Sequence, residues 1–177
     1  MVRFSIVALS LLAMCISVTA IPSLSTSSTA PFTFAQWIED IITNPDGDHL
    51  TPEEAVAAKN AAEASRNPLT KRAWCQETFT SANANDAAAC LNDLARKSAA
   101  GVYCEVGWNQ SNIQMCRIGS AEIVGSKVDI AAQGANCNDV ARTGGLIFDS
   151  CWRADNTVKG SEICISNNRL QININGV

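Results

Sequence analysis

The chain has 177 residues, of which 47% are hydrophobic and 17% are charged, and its mean hydropathy is +0.05. These values favour one folded unit and exclude disorder over the whole length. The formal net charge is −4 and the isoelectric point is about 4.9. Because the chain has no excess of basic residues that could bind phosphate groups, we expect no nucleic-acid partner.

The first twenty residues have the pattern of a secretory signal peptide. Arg3 is followed by an apolar run from Phe4 to Val18, and the small residues that end at Ala20 suit signal peptidase. This run is shorter than the roughly 20 residues that a membrane-spanning helix needs, so we expect no membrane span. We predict cleavage after Ala20, with loss of Cys15, and a secreted, extracellular protein.

Residues 21–72 are predicted to form a pro-segment. A linker rich in Ser, Thr and Pro covers 21–31 and is followed by two short helices. The first helix has a capping pair at Thr33 and Gln36. The second opens with a capping box at Thr51 and Glu54 and runs to about Ala64.

The pro-segment ends at Lys71-Arg72, a dibasic pair just before the cysteine-rich part of the chain. A kexin-type protease needs an exposed, extended substrate, and Pro68 keeps this stretch out of a helix. We therefore predict cleavage after Arg72 by such a protease during maturation, which leaves residues 73–177 as the mature domain. The alternative interpretation is a solvated charge pair.

The only histidine, His49, lies in the pro-segment, where the stretch from Asn44 to Ala55 resembles a calcium loop. The sixth position is His49 instead of glycine and the twelfth is Ala55 instead of glutamate, so we interpret the stretch as a loop before a helix. We expect no metal and no cofactor in this protein.

The mature domain has no histidine, and this excludes Ser-His-Asp and Cys-His sites, imidazole-based ribonuclease chemistry and zinc sites with histidine ligands. Eight basic and ten acidic residues leave it close to neutral. The carboxylates suggest no particular pair, so a small carboxylate-dependent hydrolase is the weaker alternative. We expect the protein not to be an enzyme.

Seven cysteines lie in the mature domain, and in a small secreted domain we expect them to be oxidised, with the connectivity left open. Seven is an odd number, and Ile163 and Ile165 flank Cys164. If these isoleucines face the core, Cys164 faces outward; we predict that it is unpaired and available for a disulfide-linked dimer. The disulfide candidates are Cys75, Cys90, Cys104, Cys116, Cys137 and Cys151.

Two helices are predicted in the mature domain from apolar residues at helical spacing. One covers 86–97, with Asn83 or Asn85 as its cap. The other covers 138–152, with Cys137 and Cys151 at its ends, so disulfides could tie both ends to the fold. The Gly144-Gly145 pair inside it indicates close approach of this helix to a sheet.

Strands are predicted over 102–108 and 115–124, joined by a turn at 109–112, and over 164–174 with a turn at Asn167-Asn168. In the last stretch Leu170, Ile172 and Ile174 alternate with polar residues and give one buried face. The expected fold class is α+β, a disulfide-stabilised two-layer sandwich of two helices on an antiparallel sheet of about four or five strands.

Two kinds of surface residue are candidates for interactions. Asn109 begins the glycosylation sequon Asn109-Gln110-Ser111, placed at the tip of the predicted hairpin. Trp74, Trp108 and Trp152 are interpreted mainly as core packing. The alternative is carbohydrate stacking, for which Trp108 and Trp152 are the contact candidates.

Several motifs of the chain are shared with one group of secreted proteins. They are Phe34 to Ile42, Asp46 to Leu50, Cys137-x-Asp139-Val140-Ala141, Gly145-x-Ile147, Cys151, Ala154 to Val158, Gly160, and the Asn168-x-Leu170-x-Ile172-x-Ile174 end. In these motifs the chain resembles small cysteine-rich, kexin-processed proteins secreted by filamentous fungi. The resemblance covers most of residues 32–174, and Cys164 is additional to the usual six cysteines. The order of elements is also similar to fungal killer toxins and necrosis-inducing effectors, a likeness at the level of the fold.

The resemblance implies an effector or toxin-like protein that acts outside the producing cell by binding an unknown host or microbial target. The alternative is a carbohydrate- or cell-wall-binding module. The pro-segment is expected either to assist folding or to mask the domain until export.

Overall fold

The computed structural model describes residues 30–64, 73–75, 78–97 and 100–177. The predicted signal peptide and the Lys71-Arg72 pair lie outside these described residues. Within them, helices pack on antiparallel strands and three disulfides cross-link the elements, so the α+β, disulfide-stabilised class is confirmed.

The elements of the described chain fall in two parts. An N-terminal segment, residues 30–64, contains two helices, and a cysteine-rich domain, residues 73–177, contains two more helices and the strands. The helices are α1 (Phe34–Thr43), α2 (Pro52–Glu63), α3 (Ala84–Lys97) and α4 (Cys137–Cys151). The strands are β1 (Ala82–Asn83), β2 (Tyr103–Val106), β3 (Asn112–Ile118), β4 (Ala121–Lys127), β5 (Gln133–Asn136), β6 (Thr157–Val158), β7 (Gly160–Cys164) and β8 (Asn167–Gly176).

The main sheet has four antiparallel strands in the order β3-β4-β8-β7, and β1-β6 and β2-β5 form two small pairs beside it. On β8, Leu170, Ile172 and Ile174 are fully buried against the helices. Alternate residues of the same strand point to the other face of the sheet. The predicted alternation is therefore confirmed, and one face of the sheet carries the core.

The helix ends follow the capping residues in the sequence. Thr51 and Glu54 form the predicted capping box, in which each side chain accepts a hydrogen bond from the other residue's backbone N–H. Asn83 caps α3, because its Oδ1 accepts from the N–H groups of Asn85 and Asp86. Thr33 accepts from the N–H of Gln36 at the start of α1.

Three disulfides join the helices to the rest of the cysteine-rich domain. Cys75–Cys151 and Cys104–Cys137 hold the two ends of α4, as expected, and Cys90–Cys116 joins α3 to β3. The first of these spans 76 residues of chain, the longest separation of the three. Cys164 is the free cysteine of the described residues.

The predicted outward orientation of Cys164 is wrong. The thiol side chain is buried at 3% exposure, whereas Ile165 is 51% exposed. Glu162 lies opposite the buried Ile172, and Ile163 lies opposite Gln171, which lines the outer face of the sheet. The isoleucines therefore do not face the core, and Cys164 lies on the core side of β7. The turn lies at residues 165–166, not at Asn167-Asn168. A dimer linked through Cys164 would therefore require the strand end to open first.

Two strand predictions are also wrong. Residues 115–124 do not form one strand, because Gly119 adopts φ +54° and reverses the chain between β3 and β4. The turn at 109–112 does not close a hairpin, since β2 pairs with β5. The first error overlooks a local turn at glycine, whereas the β2–β5 pair joins residues distant in sequence that local alternation does not record.

Candidate binding surfaces

The N-terminal segment lies on the helical layer of the cysteine-rich domain. Helix α1 packs against α4 and α3, and α2 packs against α3. The apolar residues of α1 that face inward are spaced at i, i+3, i+4 and i+7, which places them on one side of a helix. These residues are Phe34, Trp37, Ile38 and Ile41, all buried.

Aromatic rings form the centre of this contact. The ring of Phe34 lies 4.0 Å from that of Phe148 and 6.3 Å from that of Trp152, centroid to centroid. Phe34 and Phe148 are fully buried, and Trp152 is half-buried. Because these rings cover one another, removal of α1 would uncover an aromatic surface at the C-terminal end of α4.

The glycine pair of α4 allows two helices to approach closely. A Cβ on Gly145 would lie 3.1 Å from Cα of Ala35 in α1, and a Cβ on Gly144 would lie 2.3 Å from a methyl carbon of Leu91 in α3. The predicted close approach is therefore to helices, and the expectation that it is to a sheet is wrong. The absence of a side chain at Gly145 is what allows α1 of the N-terminal segment to lie against α4.

Asp149 of α4 holds the N-terminus of α1. Its Oδ1 accepts from the N–H of Phe34 at 2.9 Å, and its Oδ2 accepts from the N–H of Ala35 at 3.0 Å. The first N–H groups of a helix lack partners within that helix and carry a partial positive charge. A carboxylate from a residue more than a hundred positions away thus fixes where α1 begins.

The same carboxylate also binds a buried cation. Lys59 of α2 is completely buried, and its Nζ lies 3.0 Å from Asp149 Oδ1 and 3.1 Å from Glu63 Oε1. A buried ammonium group is costly unless it is paired and hydrogen-bonded. Asp149 therefore joins both helices of the N-terminal segment to α4.

An ion pair closes the outer edge of the contact. Arg142 donates from Nε and Nη2 to the two carboxylate oxygens of Glu39, at 2.7 and 3.0 Å, and also donates to Asp139. The hydrogen bonds from Arg142 lower the pKa of Glu39, and those to Glu39 raise the pKa of Arg142. Half of the Glu39 side chain is exposed, so solvent weakens this pair.

A second candidate surface is a polar groove of about 400 Å³ on the outer face of the main sheet. Amide and hydroxyl side chains line it in cross-strand pairs, and the amide of Asn173 donates to the Val124 carbonyl and the Ser126 hydroxyl. Phe79, which is 48% exposed, lies at its wall. The other lining residues are Asn112, Gln114, Glu122, Gln171 and Asn175.

The tryptophans predicted from the sequence lie in different places. Trp108 is 71% exposed in the turn after β2, and Trp74 is 59% exposed, so core packing is wrong for these two. Trp152 packs in the α1 contact with Phe34. Neither Trp108 nor Trp152 lines the polar groove. Asn109 is exposed beside Trp108, as a glycosylation site requires.

His49 belongs to the loop between α1 and α2. Its ring bridges the carboxylate of Asp40 and the carbonyl oxygen of Asn44, and it lines a cavity of about 570 Å³ within the N-terminal segment. Among the described residues, no group of three His, Cys, Asp or Glu side chains could hold a metal ion.

Sequence reasoning missed Asp149 and Lys59, the two charged residues that join the parts of the molecule. Both occupy helices whose cores were correctly predicted, and a lone acid or lysine on a helix has no distinctive pattern. The signal that was available is the placement of Asp149 one turn after Gly145, on the side of α4 where a second helix approaches.

Residues 70–176 match the family described as a domain of unknown function (DUF8794). No curated protein and no solved structure matches the chain. None of the helices in the described ranges is long and apolar enough to cross a membrane.

Proposed function

The chain belongs to the DUF8794 family, and from its own residues we propose that it is a secreted effector or toxin-like protein that acts by binding. In this proposal the signal peptide is removed after Ala20 and a kexin-type protease cuts after Arg72. The freed domain, residues 73–177, then binds a target on a host surface or on a competing microbe.

The packing of the N-terminal segment is the observation that carries this proposal. The segment covers an aromatic surface of the domain, and the chain between Ala64 and Ala73 contains the dibasic pair. Residues 21–72 contain no cysteine, so no disulfide could retain the segment after a cut. Ala73 is buried, and the backbone of Trp74 pairs with that of Ser161 in an antiparallel bridge. These contacts would keep the new N-terminus attached to the domain.

The disulfides and the resemblance support the same proposal. Three disulfides are typical of proteins that work in an oxidising, extracellular environment. The likeness to kexin-processed fungal proteins supports both the route of maturation and the effector role.

Intact mass of protein secreted by its own host, with and without alkylation, tests the proposal. We expect a chain that begins at Ala73, three disulfides and one thiol that reacts after denaturation. The matched control is the Lys71→Ala/Arg72→Ala variant, which should begin at Ile21. A wild-type product that begins at Met1 or Ile21 would remove the processing step.

Binding is tested separately from processing. Labelled cut protein should bind host or competitor cells at least tenfold more than the uncut Lys71→Ala/Arg72→Ala variant. Equal binding by both forms would contradict the proposed role of the cut.

The polar groove favours a second candidate, a carbohydrate- or cell-wall-binding module. Amide side chains beside an exposed aromatic ring suit the hydroxyl groups and apolar faces of sugars. Pull-down on chitin, glucan and cellulose should retain the wild type and lose the Gln114→Ala and Phe79→Ala variants. Trp108→Ala is the control outside the groove, and no retention on any polymer would end this candidate.

A further inference from the structure

We propose that the face of α3 and α4 that α1 covers is the target-binding surface of the cut protein, and that it binds an amphipathic helix of a partner protein. This inference rests on the proposed function, because α1 must leave before a target can reach the surface. The N-terminal segment is then a built-in competitor of the target.

The way α1 is seated identifies the occupant. Phe34, Trp37, Ile38 and Ile41 form the buried face of α1 at positions i, i+3, i+4 and i+7, and Phe34 packs on Phe148 of the domain. This is the anchor pattern of an amphipathic helix bound in an apolar groove. Gly145 allows the helix backbone itself to approach α4, so a helix fits where a bulkier element would not.

Asp149 gives the bound helix its direction. Its two oxygens accept from the N–H groups of Phe34 and Ala35, so the groove recognises the free N–H groups of a helix N-terminus beside an aromatic residue. A helix in the opposite direction would place carbonyl oxygens against this carboxylate and would be repelled.

Charge defines two further features of the partner. When the segment leaves, Lys59 leaves with it, and Asp149, whose side chain is 17% exposed in the uncut chain, loses that cation. A partner therefore needs a Lys or Arg that reaches Asp149. Arg142 loses Glu39, which lies five residues after Phe34, so an acidic residue at that position of the partner helix would restore the pair.

The uncut chain outcompetes a target because its helix is attached. A covalent connection gives the segment a high effective concentration at the groove, and a cut lowers this to the concentration of free segment. The contacts remain the same, so cleavage converts a closed surface into one that a partner helix can enter.

The test uses the full chain from Ile21, cut in vitro after Arg72 with a dibasic-specific protease and then separated from residues 21–72. Its first probe is a fluorescent synthetic peptide of residues 30–64. We expect this peptide to bind the separated domain, with at least tenfold loss for Phe34→Ala in the peptide and for Asp149→Asn in the domain. Glu105→Gln in the domain and Glu53→Gln in the peptide are the exposed control changes.

A second probe is a displayed library of amphipathic helices selected on the separated domain. Selected helices should carry an aromatic residue at position i and apolar residues at i+3, i+4 and i+7. They should compete with the 30–64 peptide and should not bind the uncut chain. Helices that bind cut and uncut protein equally would overturn the inference. Unfolding of the separated domain would also overturn the inference. A dimer of the separated domain that the peptide dissociates would overturn it as well, because the surface would then bind a second copy of the domain.

These outcomes are independent of natural processing, because the cut is made in vitro. A secreted product that begins at Ile21 would contradict the proposed function, but the binding of the peptide to the separated domain would still be a valid measurement. Conversely, a domain that begins at Ala73 and binds no helix would remove the inference alone.

Discussion

The N-terminal segment and the cysteine-rich domain share one hydrophobic core but are held in different ways. Phe34 in the segment and Phe148 in the domain are both fully buried, and each packs on the other. The domain is joined by three disulfides and a four-stranded ladder of backbone hydrogen bonds. The segment contains no cysteine and contacts the domain through side chains such as Asp149 and Arg142.

Burial alone therefore does not keep a part of the chain attached. The segment shares the core but has no disulfide to the domain, so it depends on its covalent connection for a high local concentration. The domain has cross-links that remain after that connection is cut. Substitutions in the two parts should therefore have different effects on stability and on hydrogen exchange.

The largest effect is expected from the Cys75→Ala/Cys151→Ala variant. This disulfide spans 76 residues, and its removal should lower the free energy of unfolding by about 4 kcal/mol, because the unfolded chain gains conformational entropy. Denaturant unfolding measures the change. Cys164→Ala removes a buried thiol that forms no disulfide and should cost about 1 kcal/mol. Equal costs for the two variants would contradict the role given to the cross-link.

Phe34→Ala should release the segment and leave the domain folded. Loss of a fully buried phenylalanine costs about 3 kcal/mol, and here that cost falls on the docking of α1. Hydrogen exchange should increase by more than about a hundredfold in α1 and remain slow in β8. Phe79→Ala, at a half-exposed ring, is the control. Equal acceleration in both elements would show that the two parts unfold as one.

Gly145→Ala should have a smaller effect of about 1 kcal/mol, with the loss confined to the α1 contact. Alanine favours the helical state of α4, but its Cβ would lie 3.1 Å from Ala35 Cα and press α1 outward. Hydrogen exchange should rise in α1 and not in α4. Gly107→Ala, where the nearest atom belongs to an exposed glutamine side chain, serves as the comparison.

The sequence predicted the elements far better than their connections. Alternation at Leu170, Ile172 and Ile174 located β8, and capping residues located α2 and α3, because these signals are local. The pairing of β2 with β5 joins residues distant in sequence, and local patterns do not contain it. The face on which Cys164 lies is set by the register of β7 on β8, which places Ile163 opposite Gln171.

The candidate surface was predictable only in part. The apolar spacing of α1 and the glycine pair of α4 indicated that each helix is closely packed, but not that they pack on each other. Asp149 could not be chosen among ten acidic residues of the domain, since its role appears only when α1 and Lys59 meet it in three dimensions.

The smallest effect is expected from Glu39→Gln and depends on pH. The hydrogen bonds from Arg142 lower the pKa of Glu39 in the folded chain, so this pair stabilises α1 docking above the unfolded pKa of the carboxyl group. The contribution is lost as pH falls through the lowered folded value, and for a half-exposed side chain it is less than about 1 kcal/mol. The protection factors of the α1 amides, which correct for the intrinsic pH dependence of exchange, should therefore fall below about pH 4.5 more in the wild type than in Glu39→Gln. Glu53→Gln, at an exposed position on α2, should retain the wild-type profile, and an unchanged profile in Glu39→Gln would show that this ion pair does not hold the segment.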